Sequence, residues 1–138
     1  MANYQKLTKY EIAEAQITRA LELYMSSDDL ISAITLAGAA EEILGKLVIA
    51  NGGESALEEK VKQLCRMHEF AFSETPNPKD YVNIRNRTRN ELKHIGDGEE
   101  IEVDLEREAV NMIRRAKVNL LKLNPISRQK FWKFDKCF

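Results

Sequence analysis

LISAITLAGAAEEILGKLVIA, residues 30–50, is the stretch whose reading decides the fold. Its apolar side chains cover a wide arc of a helical wheel, which predicts a helix buried on most sides. Asn51-Gly52-Gly53 is a stop signal, and Ser27 or Asp28 is placed to cap the start. The uncharged run from residue 30 to residue 40 is too short to cross a bilayer. Glu41 falls near the edge of the apolar arc, beside Ile34, Ala37, Leu44 and Val48. A carboxylate buried there needs a cation or hydrogen-bond donors. An arginine such as Arg85 or Arg89 is the expected anchor; the alternative is a side chain that reaches back to water.

The flanking segments supply partners for such a helix. Thr8-Lys9-Tyr10-Glu11 has the form of a capping box, and Tyr10, Ala13, Ile17, Ala20, Leu21 and Tyr24 follow at helical spacing up to Ser26-Ser27. Ser55-Ala56-Leu57-Glu58 is a second capping box, opening a third helix with Leu57, Val61, Leu64, Cys65, His68 and Phe72 on one side. Asn77-Pro78 reads as an N-cap followed by a first-turn proline. From there a fourth helix is expected to about His94, with Tyr81, Ile84, Thr88, Leu92 and Ile95 facing inward and Gly96-Asp97-Gly98 ending it. After a short irregular connection, Asp104 can cap a fifth helix through about Leu123, which Asn124-Pro125 stops. The tail, residues 126–138, is aromatic and basic, with room for a short sixth helix. The expectation is a single all-α domain over residues 1–138, an up-and-down bundle of about five helices with a short C-terminal segment.

Composition bounds the function. A hydrophobic fraction of 43% and a charged fraction of 31% describe an ordinary globular chain. Cys65 and Cys137 lie far apart in sequence and form no metal-ligand pair, and no secretory signal is visible, so a cytoplasmic protein with reduced thiols and no membrane association is expected. The net charge is −1, but it is unevenly spread. Residues 1–77 carry 7 basic and 12 acidic side chains, whereas residues 78–138 carry 14 basic and 10 acidic. This balance excludes a protein that coats nucleic acid non-specifically. Any nucleic-acid contact is then local, at Arg85, Arg87, Arg89 and Lys93 or in the basic tail. No Cys/His cluster has zinc spacing and no glycine-rich phosphate loop is present, so neither a metal nor a cofactor is expected. His68, beside Cys65 on an apolar side, reads as a core histidine, and the aromatic tail as packing against the bundle or a second subunit ahead of stacking RNA bases.

The chemistry-bearing stretch is RNELKHIG, residues 89–96. At 100° per residue, Asn83, Arg87, Asn90 and His94 share one helix face, opposite the expected apolar stripe. Asn90 and His94 are i,i+4 neighbours, so the amide can orient the imidazole. Arg89 lies on the flank, about 140° from His94. A permanent cation, an amide and a group titrating near neutrality are the types that RNA transesterification needs. The plain alternative is a solvated helix end, where Lys93 and His94 compensate the helix dipole.

Arg89-Asn90-Glu91-Leu92-Lys93-His94 resembles the signature of the HEPN superfamily (higher eukaryote and prokaryote nucleotide-binding domains): an arginine, a polar residue often asparagine, three residues, then histidine, near the end of a late helix in an all-α bundle. Arg87, six residues before His94 in the intervening count, fits a looser version of that spacing. The resemblance implies a metal-independent endoribonuclease acting on RNA, with a composite site built by both subunits of a homodimer. Arg89 and His94 would be catalytic there, with Asn90, Arg87 and Lys93 supporting. It further implies a toxin–antitoxin, phage-defence or RNA-processing setting, often beside a nucleotidyltransferase-like partner. Some members keep the fold without catalysis, so the competing expectation is a silent helical module that dimerises and binds a protein partner or nucleotide. On spacing, both Arg89 and His94 lie off the core-facing stripe, and neither is expected to matter for folding.

Overall fold

The computed structural model describes residues 2–26, 28–93 and 100–138. Among these the chain is all-helical: α1 Lys9–Ser26, α2 Leu30–Ala50, α3 Ala56–Phe72, α4 Pro78–Glu91 and α5 Leu105–Leu123, then a 3-10 turn over Pro125–Phe131 and a short α6, Trp132–Asp135. No described helix is long and apolar enough to cross a membrane.

The ends follow local chemistry. Thr8 and Glu11 exchange hydrogen bonds, as do Ser55 and Glu58, so α1 and α3 both open on capping boxes. Asn77 caps α4 ahead of Pro78, and the Asp104 carboxylate accepts from the Arg107 amide at the start of α5. The cap of α2 is Asp29 rather than Asp28, and Ser27 lies outside the described residues: the Asp29 carboxylate accepts from the Ser32 amide and hydroxyl. Asn51 closes α2, and Gly52 takes φ +84°, a conformation that costs glycine nothing.

Helix α2 lies at the centre, packed most extensively on α5 and then on α1. Ala33, Ile34, Ala37, Ala40 and Leu44 of α2 are fully buried, against Ala13 and Ile17 of α1 and Ile113, Ala116 and Leu120 of α5. The tail closes this core. Phe131 and Phe134 are buried, Phe134 stands edge-on to Tyr24 at 5.5 Å, and Lys117 of α5 donates to Asp135 at 2.7 Å. Trp132 and Phe138 remain more than half exposed.

Helices α3 and α4 pack on one another and more thinly on the rest. Val61 is the buried apolar residue of α3; Phe72, expected on its inward side, is exposed. His68 is half-buried rather than in the core, its Nδ1 2.9 Å from the Tyr81 hydroxyl.

Candidate functional site

Glu41 of α2 is 3% exposed, and its two carboxylate oxygens are taken by two guanidiniums. Arg115 of α5 donates from Nη2 to Oε1 at 2.9 Å, and Arg89 of α4 donates from Nη1 to Oε2 at 3.1 Å. Arg115 reaches further: Nη2 also donates to Asn86 Oδ1 at 2.8 Å, and Nη1 to the Arg85 carbonyl at 3.0 Å. A buried carboxylate and a buried guanidinium are tolerable only when paired and hydrogen-bonded in this way. Burial pushes the Arg115 pKa below the ordinary arginine value; Glu41 opposes that, and the nearby Arg85 and Arg89 add to it. One carboxylate therefore faces an excess of positive charge where α2, α4 and α5 meet.

Glycine makes room for this network. A Cβ at Gly38, one turn before Glu41, would sit 2.6 Å from Arg89 Cδ and 2.8 Å from Cγ. The Arg89 stem lies directly on the α2 backbone, with only 10% of its side chain exposed. Beside it is a pocket of about 250 Å³ lined by Glu41, Glu42, Lys46, Glu58, Asn86 and Arg89, among others.

The residues expected to form a site separate into two groups. Asn83, Arg87 and Asn90 are exposed on the outer side of α4, as is Lys93 just beyond it. Arg89 is not on the flank but turned inward with Val82, Arg85 and Asn86, at i, i+3, i+4 and i+7 spacing. Ile84, expected to face in, is 67% exposed. The physical reason is that α4 is docked by its polar side: Asn86 and Arg89 satisfy the charges of Glu41 and Arg115, which outweighs hiding one isoleucine. The Arg89 side chain is thus largely buried, contrary to its expected place off the core-facing side. The helix ends at Glu91, where the Lys93 amide bonds the Asn90 carbonyl in a tighter last turn. His94 and Ile95 lie outside the described residues.

Arg115, Asn86 and Asn119 were missed by spacing. Asn119 is fully buried; its Oδ1 accepts from the Ala56 amide at 2.8 Å and its Nδ2 donates to the Glu41 carbonyl at 3.3 Å. The available signal was a polar residue at a core-facing position of an otherwise amphipathic helix: Arg115 lies between Met112 and Asn119 on the buried side of α5. Among the described residues, no group of three His, Cys, Asp or Glu side chains is arranged to hold a metal ion.

What the fold and this geometry define is a helical-bundle protein whose α2, α4 and α5 are tied by a buried Glu41–Arg89–Arg115 network. No family model, curated protein or solved structure matches the chain.

Proposed function

We propose that the protein is a metal-independent endoribonuclease of HEPN-like, up-and-down arrangement, working as a two-fold homodimer. Arg89 stabilises charge on the scissile phosphate and His94 moves protons. The 2′-oxygen attacks phosphorus while its proton passes to a base, and the P–O5′ bond breaks as the 5′-oxygen takes a proton. The products are a 2′,3′-cyclic phosphate and a 5′-hydroxyl. One histidine is thin for both transfers, and two copies meeting at a dimer axis supply a base and an acid. Asn90, Arg87 and Lys93 support phosphate and imidazole positioning. A defence or toxin–antitoxin setting, with a nucleotidyltransferase-like partner, belongs to the same proposal.

The observation that carries this reading is the fixing of Arg89. Its guanidinium is held by Glu41 and its stem by Gly38, and a preorganised cation stabilises developing charge without reorganisation cost. Glu41 is shared with Arg115, so it does not neutralise Arg89 alone. The low exposure of Arg89 favours a second reading, a catalytically silent module in which the same arginine only braces α4 against α2.

Incubation of purified protein with structured RNAs separates the two. The nuclease reading expects cleavage that survives EDTA, cyclic phosphate ends, and resistance of a 2′-deoxy scissile site. His94→Ala should lower the rate by roughly 10²–10⁴-fold, the worth of general acid–base catalysis. Metal dependence, cleavage of the deoxy substrate or undiminished activity in His94→Ala would overturn it.

A further inference from the structure

A second cationic feature stands apart from the outer strip of α4. Between α3, α4 and α5 lies a cleft of about 400 Å³, within the range that holds small ligands. Lys60, Arg85, Arg114 and Arg115 line it, with Gln63 and Asn111 as neutral donors. Its one carboxylate, Glu59, is already paired with Lys122.

These cations are not equivalent. Arg115 forms the floor, its terminal nitrogens bound to Glu41, Asn86 and the Arg85 carbonyl while its buried Nε has no partner. Arg85 also has a buried Nε without a partner, and among the described residues its guanidinium makes no hydrogen bond or ion pair. Arg114 is braced over the Phe138 ring at 4.5 Å, and Lys60 Nζ rests on Gln63 Oε1 at 3.3 Å. Arg89 and Arg115 share the single carboxylate of Glu41, and Arg85 adds a further positive charge beside Arg115, so the charge behind the cleft is under-compensated. Guanidiniums with unused donors suit a tetrahedral oxyanion, which they can bind through paired, charge-assisted hydrogen bonds.

We propose that the α3–α4–α5 cleft binds a phosphate group, carried either by a nucleotide or by an RNA strand, with Arg85 as principal ligand and Lys60 and Arg114 as rim cations. Arg85 and Arg87 lie about 160° apart on the α4 wheel, so this cleft and the outer strip are different surfaces. The inference does not depend on the chain cleaving RNA.

Isothermal titration of the full chain with pyrophosphate, AMP, ATP and a single-stranded RNA lacking terminal phosphates tests it, with sulfate at matched ionic strength as control. A mononucleotide or pyrophosphate that binds more tightly than sulfate identifies a terminal phosphate; binding of the RNA alone identifies a strand phosphate. Arg85→Gln should weaken binding about tenfold or more, the worth of a lost charge-assisted pair, and Arg85→Lys should recover part of it. Should Arg85→Gln fail to fold, the Lys60→Gln/Arg114→Gln double variant carries the same expectation, since both side chains lie at the rim. Arg19→Gln, on the exposed side of α1 and outside both surfaces, should leave binding to the cleft unchanged. Binding no stronger than that of sulfate, or unchanged in Arg85→Gln and in the double variant, would overturn the proposal.

Discussion

Gly38 and Arg89 are fitted to one another: the arginine stem occupies the space a β-carbon would take. In most helix interiors Gly→Ala gains up to about 1 kcal/mol. Here Gly38→Ala should instead cost about 1–3 kcal/mol, as other overpacking substitutions do, because the guanidinium is tethered at its far end and the stem cannot swing away. In an Arg89→Ala background the cost should vanish and the helix-propensity gain reappear. Chemical denaturation of the four variants closes this cycle; additive effects would show that the contact does not couple the two helices. Glu41 carries more. Glu41→Ala leaves Arg115 and Arg89 without their carboxylate, and should destabilise by about 3–5 kcal/mol, the cost of breaking a buried pair. A loss below about 1 kcal/mol, the level of a surface pair, would mean that Glu41 is hydrated in solution.

At the scale of the element, Asn119 joins three helices by one amide: it sits on α5, receives the first amide of α3 and donates to the backbone of α2. Asn119→Leu should lower stability by about 1–3 kcal/mol for a buried group left unsatisfied, and hydrogen exchange of the Ala56 amide should accelerate more than that of amides in α1. The cap of α2 gives a pH dependence. Hydrogen bonds from the Ser32 side chain and backbone hold the Asp29 carboxyl below its ordinary pKa. A folded value below the unfolded one adds stability above the ordinary carboxylate range and loses it as pH falls through the folded value. Asp29→Asn keeps a capping acceptor and should flatten the acid side of a stability–pH profile; an unchanged profile would remove Asp29 from the account. The same elements show what was legible in sequence. Capping boxes at Thr8 and Ser55, the Asn77-Pro78 start and the burial of α2 follow from local hydrogen bonding and hydrophobic period, which act within a few residues. The orientation of α4 did not. Its period points Ile84 inward, but Arg89 is drawn in by Glu41, 48 positions away along the chain, and Asn86 by Arg115, 29 positions away. Glu41 on an apolar arc announced that a cation was needed; only the fold could say that Arg115 would share it.

For the whole molecule, the uneven charge and the outer side of α4 bear on self-association. Asn83, Arg87 and Asn90 form a strip that points away from the bundle, and in a two-fold dimer a patch on the axis meets its own copy. Two such strips bring Arg87 against Arg87, so their approach is repulsive unless an anion or carboxylate lies between them. The proposed dimer should therefore strengthen with added RNA or polyphosphate, whereas an apolar interface would be indifferent to both. A competing surface exists at the end of α3, where Met67, Phe70 and Phe72 are all more than half exposed. Single cysteines at Asn83, Arg87 or Asn90, in a Cys137→Ser background because Cys137 is exposed, separate the two. At least one should cross-link to its own copy under mild oxidation, since a disulfide requires Cα atoms within about 7 Å. Sedimentation should show a dimer that Arg87→Glu alters and Phe70→Glu leaves intact. A monomer at all accessible concentrations with RNA present, or a dimer that Phe70→Glu dissolves while all three cysteines stay unlinked, would place the interface elsewhere and remove the composite site with it.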